Sequence, residues 1–583
     1  MPERKETKAQ RIERLKRLKN PWEHLDEIRA FSRLGHSSIP PEWLSTYFRP
    51  WGIYTQGDGV GALGGSGGEG RAVPFFMVRI RIPNGLLTSQ QVRLIANLSE
   101  QHGNGVADIT VRQNIQLHWI RIDAIPDLLE QLWKAGLSTT GACGDVTRNI
   151  TGCPLAGLQA HEIADVSSVV LALDRELAGN AEFYNLPRKF KITVTGCPEW
   201  CSYPEINDIG LTATRRNRQG RTTGAQDKPF EPQSNEEIGF SIRVAGGLST
   251  QPHLAVRLNA FIHWDQVIPV VRAITEVFRA SEVLRQSRER ARLKYLFLEH
   301  GWTPESFLAA VQARLGFALD PAEPEELPAQ IHRDHLGIVP QKQGGLFSVG
   351  ASVLRGRVAP AQLRLAADLA ETYADGHIRN TPVQNLLIVN VPGAHAHTVA
   401  SKLSAAGLPV ESSAFARGTV ACTGSEFCKL ALTETKSFAR WLMGELEERF
   451  PAYHEQLKLH ITGCPNSCGQ HWIADIGIEG KKIKSNGEMV DAYYFCVGGS
   501  VGQIASIARP VGYRCAATEV PNAIERLLRA YRGSRHPRET LQRFLARHST
   551  ENLRSILAGG GAEEFVQRDL PVEHVPHSVE DRP

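Results

Sequence analysis

Residues 75–82 (FFMVRIRI), 89–101 and 115–122 (IQLHWIRI) read in turn as a strand with alternating apolar positions, an amphipathic helix and a second strand. The same order returns at 346–353 (LFSVGASV), 360–373 and 386–391 (LLIVNV), so the pattern predicts two small βαβ-type modules. A longer stretch of mixed strand and helix pattern follows each one.

The two modules are copies. GLLTSQQVRLIANLSEQHGNGVADITVRQNIQ from Gly85 aligns without gaps on GRVAPAQLRLAADLAETYADGHIRNTPVQNLL from Gly356, an offset of 356 − 85 = 271 that sets Gln113-Asn114 on Gln384-Asn385. TGCPEWCSYPEINDIG from Thr195 matches TGCPNSCGQHWIADIG from Thr462 at 462 − 195 = 267. Nearly equal offsets imply an α+β chain made by pseudo-two-fold internal duplication, each half a small module followed by a larger α/β one.

Lys+Arg 66 against Asp+Glu 62 leaves a net charge of +4, which gives no reason to expect nucleic acid or an anionic membrane as a partner. No apolar run is long enough to cross a bilayer and the N-terminus lacks the apolar core of a secretion signal, so a cytoplasmic protein is expected. Residues 1–20 read as a solvated surface helix, 59–71 as a flexible Gly-rich loop, 214–237 as a surface excursion and the tail beyond 559 as a loose arm. In a reducing compartment the ten cysteines point to metal ahead of disulfides.

In the second copy, ACTGSEFCKLALTETK supplies Cys422 and Cys428, and the repeated motif supplies Cys464 and Cys468. Four thiolates suit a four-iron four-sulfur cluster or zinc. Spacings of five and three favour iron and sulfur over the Cys-x2-Cys knuckles of zinc ribbons.

Cys-x5-Cys followed by Cys-x3-Cys within ITGCPNSCG resembles the sirohaem-dependent nitrite and sulfite reductases, and the resemblance runs from about Tyr54 to Arg547. It implies one 4Fe-4S cluster on Cys422, Cys428, Cys464 and Cys468, sirohaem with Cys468 as its bridging axial ligand, and reduction of a small inorganic anion on the open haem face. The implied divisions are an arm and loop (1–70), ferredoxin-like half-domains (71–138 and 326–408), a sirohaem and anion domain (139–325), an iron-sulfur domain (409–558) and a tail (559–583).

Such an anion needs fixed positive charge and proton donors. Arg112 in ITVRQNIQ, Arg148 in DVTRNITG, and Lys189 and Lys191 in LPRKFKIT match the family's anion-binding positions. In the repeat, Arg112 falls on Val383, Lys189 on Gln456 and Lys191 on Lys458; matching Thr151-Gly152 to Thr423-Gly424 puts Val420 opposite Arg148. Three of the four cations are then private to the first copy, which reads as a division of labour between cations and thiolates.

For the carboxylates of sirohaem, the resemblance points to Gln113, Asn114, Gly247 in the GGLST turn, Arg292 and Lys294, although RARLKYL reads equally as a basic helix face. Tyr54 and Cys143 lie in segments that by resemblance approach the distal haem face, where a hydrogen-bonding Tyr beside a buried thiol outweighs a thioether. Cys496 and Cys515 read as core residues. The alignment leaves Ile150 opposite Cys422 and Ala156 opposite Cys428, so TGCPEWCS reads as a relic kept for its backbone geometry, with no second cluster on Cys143, Cys153, Cys197 and Cys201.

CTGSEFC, TGCPNSCGQ with ADIG, and RNITGCPLAG resemble the nitrite-reducing branch, whereas Lys191 suits sulfite. The expectation is six-electron reduction of nitrite to ammonia, with sulfite to sulfide as the alternative and a non-catalytic iron-sulfur or zinc protein as a remote one. No G-x-G-x-x-G stands between a strand and a helix, so electrons are expected from ferredoxin or a similar small acidic protein docking at Lys481, Lys482 and Lys484 of a monomer.

Overall fold

The computed structural model describes residues 6–62, 69–217, 236–328, 333–485 and 487–560. The middle of the Gly-rich run, most of 214–237 and the tail beyond 560 lie outside the described residues.

Among the described residues the strands form four five-stranded sheets. The first small module orders its strands Ile53–Gly57, Ala72–Ile80, Ile115–Ile120, Ala107–Ile109, with Arg357–Val358 from the second half at the far edge. The second orders Gly337–Pro340, Leu346–Ala351, Leu386–Pro392, His377–Asn380, with Leu86–Thr88 from the first half at its edge. Each half thus lends the other an edge strand, Arg357 pairing with Asp108 and Leu86 with Arg379. The long strands of each module run antiparallel, unlike a simple βαβ crossover, because a short strand after the helix turns the chain back first.

The helix Ser89–His102 starts at a capping box in which Thr88 accepts from the Gln91 N–H and Gln91 from the Thr88 N–H. Its counterpart Pro360–Tyr373 starts on proline, whose fixed φ suits a first turn. Val92, Ile95 and Leu98 of one helix and Leu363, Ala366 and Ala370 of the other enter a single core. Each larger side chain buried there contributes about 1.5–3 kcal/mol, which holds the two modules as one unit. Trp43, Phe48 and Trp51 of the N-terminal segment join the same core.

Each large module begins with three parallel strands, Thr151–Gly152, Ile192–Thr195 and Ile209–Asn217 in the first half, and Thr419–Ala421, Leu459–Thr462 and Ile476–Ser485 in the second. Parallel neighbours bring their leading ends to one edge and their trailing ends to the other.

Strand register corrects the repeat alignment. Thr151 pairs with Thr193 and Val420 with His460, while Thr193 and His460 are equivalent at the 267 offset. Side chains agree: Gln113 Oε1 accepts from the Gly152 N–H at 3.1 Å, and its counterpart Gln384 Oε1 accepts from the Ala421 N–H at 3.1 Å. Gly152 therefore matches Ala421, which sets Cys153 opposite Cys422, Gln159 opposite Cys428 and Thr151 opposite Val420. The match of Thr151-Gly152 to Thr423-Gly424 slips by three residues. At the true register Arg148 meets Arg417, which is held by Asp334 at 2.6 Å, so only Arg112 and Lys189 are private to the first half by residue type.

One other expectation changes, and a second is narrowed at its flanks. The helix Lys8–Leu18 is solvated on one face only: Glu13 and Lys16 are 6% and 5% exposed, and Lys16 sits 2.5 Å from Glu13 and 3.4 Å from Asp145. Asp145 in turn pairs with Arg288 at 2.6 Å, and Glu13 with Arg285 at 2.6 Å. The described flanks of the Gly-rich loop are bound, Gly57 N–H donating to Phe427 O and Ala62 N–H to Ala431 O beside Cys428. Gly61, at φ +75°, has no room for a Cβ, which would meet Ala431 O at 2.4 Å. No helix among the described residues is long and apolar enough to cross a membrane.

Candidate active site

In the first half the cations gather at leading ends. Arg148 precedes Thr151–Gly152, Lys189 and Lys191 precede Ile192–Thr195, and Arg112 occupies the turn before Ile115–Ile120. In the second half the thiols gather at trailing ends, Cys422 following Thr419–Ala421 and Cys464 following Leu459–Thr462.

Arg112 donates to Asn207 Oδ1 (2.7 Å), Asn149 O (2.6 Å) and Ile192 O (3.1 Å), so its guanidinium is anchored across three segments. Burial, then the neighbouring Arg148, pushes its pKa down to about 9. Arg148 is fixed by the Gly144 carbonyl at 3.0 and 2.9 Å. Lys189 falls to about 7 through burial and Arg292, with the Cys468 thiol of the other half pulling it back up. Burial and repulsion by Lys189 and Arg112 lower Lys191 as well. Among the described residues neither ammonium has a hydrogen-bond or ion-pair partner.

Asp208 is the carboxylate that offsets this charge, and it is already engaged. It accepts from Arg292 Nη2 at 2.8 Å and Nε at 3.2 Å, and from the Lys191 N–H at 2.8 Å. Its role was missed from the sequence, although the repeated Asp-Ile-Gly, with Asp475 bonded to the Lys458 N–H in the same way, held the signal. Arg79 had no such signal. It donates to Gln116 Oε1 (2.9 Å) and to Cys143 Sγ (3.1 Å), and Gln116 donates across the halves to Thr423 Oγ1 (3.2 Å). Tyr54 lies under the Arg49 guanidinium, 5.4 Å from its ring centre.

The four cysteines of the second half act on one another electrostatically. Burial and the Cys468 charge raise Cys422 and Cys464 and push Cys428 up to about 12. Cys422 Sγ accepts from the Gly463 N–H at 3.2 Å, and Cys468 is exposed while Cys464 is buried. Among the described residues, no three of these sulfurs lie within 4.8 Å of one another, so they are not drawn in around a single ion. This donor set fits a 4Fe-4S cluster. The surplus of buried positive charge opposite Cys468 fits a polycarboxylate cofactor, sirohaem, with a small anion beside it.

The other residues expected at the cofactor are engaged with the protein. Gln113 Nε2 donates to Asn84 O and Asn380 O, and Asn114 Oδ1 accepts from the Ile82 N–H. Lys294 donates to Leu248 O at 2.9 Å and to Gln251 O, holding the turn that contains Gly247. A Cβ on Gly247 would meet Arg292 Nη2 at 2.9 Å. These side chains shape the cradle. Cys496 and Cys515 are buried, as expected of core residues. Of the three surface lysines, Lys481 pairs with Glu479 at 2.5 Å and Lys482 with Asp491. A cleft beside Pro465 is lined by Trp472, Lys481 and Arg514.

A family model described as the nitrite and sulphite reductase 4Fe-4S domain matches residues 143–319 and 412–560, and one described as the nitrite/sulfite reductase ferredoxin-like half domain matches 70–135 and 339–406. The chain is 36% identical over 552 residues to the assimilatory ferredoxin-dependent nitrite reductase of Haloferax mediterranei, covering 89% of this chain and 88% of that one. It is 33% identical to ferredoxin sulfite reductase 1 of Mycolicibacterium paratuberculosis, covering 90% and 92%. The solved structure of the Mycobacterium tuberculosis NirA protein superposes with a TM-score of 0.85 at 32% identity, over 93% of this chain and 97% of that one. With paired half-domains, a cationic cradle and four facing thiols in these positions, the chain belongs to the nitrite and sulfite reductase family of oxidoreductases.

Proposed function

We propose that this chain reduces nitrite to ammonia by six electrons taken from reduced ferredoxin or a similar small acidic donor. The observation that carries the reading is the meeting of the halves, where the unpaired Lys189 ammonium lies within electrostatic reach of Cys468. When bound, sirohaem and the 4Fe-4S cluster supply the electron path and the metal at which the anion is reduced. Arg112 and Arg148, clamped by carbonyls, hold positive charge that cannot drift, and so orient the anion. Lys189, with a pKa near neutrality, holds a proton at Nζ and releases it readily as the oxygens leave as water.

Sulfite is the second reading, and Lys191 favours it, since two ammonium groups suit a dianion. Against it, burial and then repulsion from Lys189 and Arg112 disfavour a charged Lys191, which suits a monoanion. Turnover of the two anions at equal concentration with a dye donor tests the choice; faster sulfite reduction would reverse it.

The donor reading rests on the names of the relatives and on local charge. The cleft beside Pro465 carries Lys481 and Arg514 next to the Cys464 loop, while Glu479 and Asp491 offset part of the charge of Lys481 and Lys482, so we place the docking surface at that cleft. We place the chain in the cytoplasm, where its ten unpaired cysteines stay reduced.

A further inference from the structure

The corrected register gives the first half a thiol set of its own. Cys153, Cys197 and Cys201 stand opposite Cys422, Cys464 and Cys468, and Gln159 stands opposite Cys428. The loop backbones repeat as well, with left-handed φ at Trp200 and Tyr203 (50° and 53°) and at Ser467 and Gln470 (55° and 61°). The packing does not repeat. Cys153, Cys197 and Cys201 are all buried and their sulfurs lie within 4.8 Å of one another, a closeness that no three sulfurs of the second-half set share among the described residues.

We propose that Cys153, Cys197 and Cys201 bind a single soft divalent cation of the zinc class, with Gln159 at the fourth vertex. Zinc–thiolate bonds of about 2.3 Å in a tetrahedron place sulfurs about 3.8 Å apart, within the observed spread, whereas a cubane needs them wider. Gln159 is 5% exposed, its Nε2 lies 3.5 Å from Cys153 Sγ, and its Oε1 has no partner among the described residues. Because Nε2 and not Oε1 faces Cys153, the carboxamide turns over to present that free oxygen to the ion. His335 is buried with neither ring nitrogen bonded, yet it stays outside the radius that encloses the three sulfurs.

The surroundings supply counter-charge. Arg379 donates to Pro154 O (2.7 Å) and Ala156 O (2.9 Å), bracing the loop after Cys153, and Arg333 pairs with Glu199 between Cys197 and Cys201. Coordination exchanges thiol S–H bonds for metal–sulfur bonds and releases those protons to solvent, with no change of oxidation state. The ion would tie the end of strand Thr151–Gly152 to the 197–201 loop, replacing the brace that the cluster provides in the second half. Ordinary core packing of three thiols is the competing account, and it predicts no metal.

The test is a zinc and iron count on the purified holoenzyme, with X-ray absorption at the zinc edge. The expected result is about one zinc per chain bonded to sulfur, beside about five irons. Cys197→Ser and Cys153→Ser should lose that zinc while keeping the irons and the sirohaem spectrum. No ion beyond the five irons, about nine irons, or a Cys197–Cys201 disulfide in an unreduced peptide map would each overturn the proposal. Should the serine variants fail to fold, the wild-type count and edge decide it alone.

Discussion

Gln113 and Gln384 sit at one another's pseudo-symmetric positions, both in left-handed backbone (φ 59° and 68°), and each sends its carboxamide into the other half. Gln113 Nε2 donates to Asn380 O at 3.0 Å and Gln384 Nε2 to Ile109 O at 3.0 Å. Each also accepts from the strand that leads to a cysteine, through Gly152 N–H and Ala421 N–H. The pair ties both halves to both thiol sets.

Replacing either glutamine should therefore cost more than an ordinary surface change. Gln384→Ala leaves the Ala421 N–H and the Ile109 and Ala421 carbonyls without their partner, a loss of about 1–3 kcal/mol. A lowered unfolding midpoint and faster loss of iron from Cys422 are expected. An unchanged midpoint would remove the amide from the account.

Lys189 carries a pH prediction. Its folded pKa, about 7, lies below that of an unfolded lysine, so the folded chain binds fewer protons between these values. The penalty is full below pH 7 and fades as pH rises through the window. Lys189→Met should stabilise the cofactor-free protein more at about pH 6 than at about pH 10, while lowering kcat/KM for the anion by about 10²-fold or more. Equal stabilisation at both pH values would show that the ammonium is not strained.

The buried N-terminal network gives a third test. Glu13→Gln removes the nearest carboxylate from Lys16 and Arg285, leaving Lys16 to Asp145 at 3.4 Å and Arg285 to Glu282 at 3.6 Å, at up to about 3–5 kcal/mol for a broken buried pair. Because Asp145 belongs to the same network and lies three residues before Arg148, KM for the anion should rise together with the loss of stability. A stability loss with unchanged KM would confine the helix to a structural role.

Legibility in the sequence differed from element to element. The helices Ser89–His102 and Pro360–Tyr373 were read almost to the residue because their period is sustained over 14 residues. The exchanged edge strands were not, since Leu86–Thr88 and Arg357–Val358 are too short to carry a period and are defined by partners far along the chain. The Cys153 to Cys422 equivalence was hidden by a chance Thr-Gly match three residues away, because register is set by hydrogen bonds that identity does not report. The burial of Lys16 was invisible for a similar reason, its partner Asp145 lying 129 residues on. The cations and the cluster cysteines were named from motif alone, but their placement at opposite strand ends needed the fold.

Donor docking predicts a separation of readouts. Lys481→Glu with Arg514→Glu should raise KM for ferredoxin several-fold, more at low than at high salt, and leave turnover with a small dye unchanged. Equal losses with both donors would place the fault in the site and not at the surface.

The exposed Cys468 is the second-half thiol whose charge reaches Lys189 of the first half, and the proposed function gives it the bridge between cluster and haem. Cys468→Ser should leave the basic cradle intact and abolish electronic coupling between cluster and haem in the EPR spectrum, together with anion turnover. A coupled, active variant would contradict the bridge.

The central claim is tested most directly by supplying the holoenzyme with reduced ferredoxin and nitrite and counting products. The account predicts one ammonia formed and six donor electrons consumed per nitrite, at a rate above that for sulfite at equal concentration. Sulfite reduced faster than nitrite, or nitrite consumed without ammonia, would contradict it.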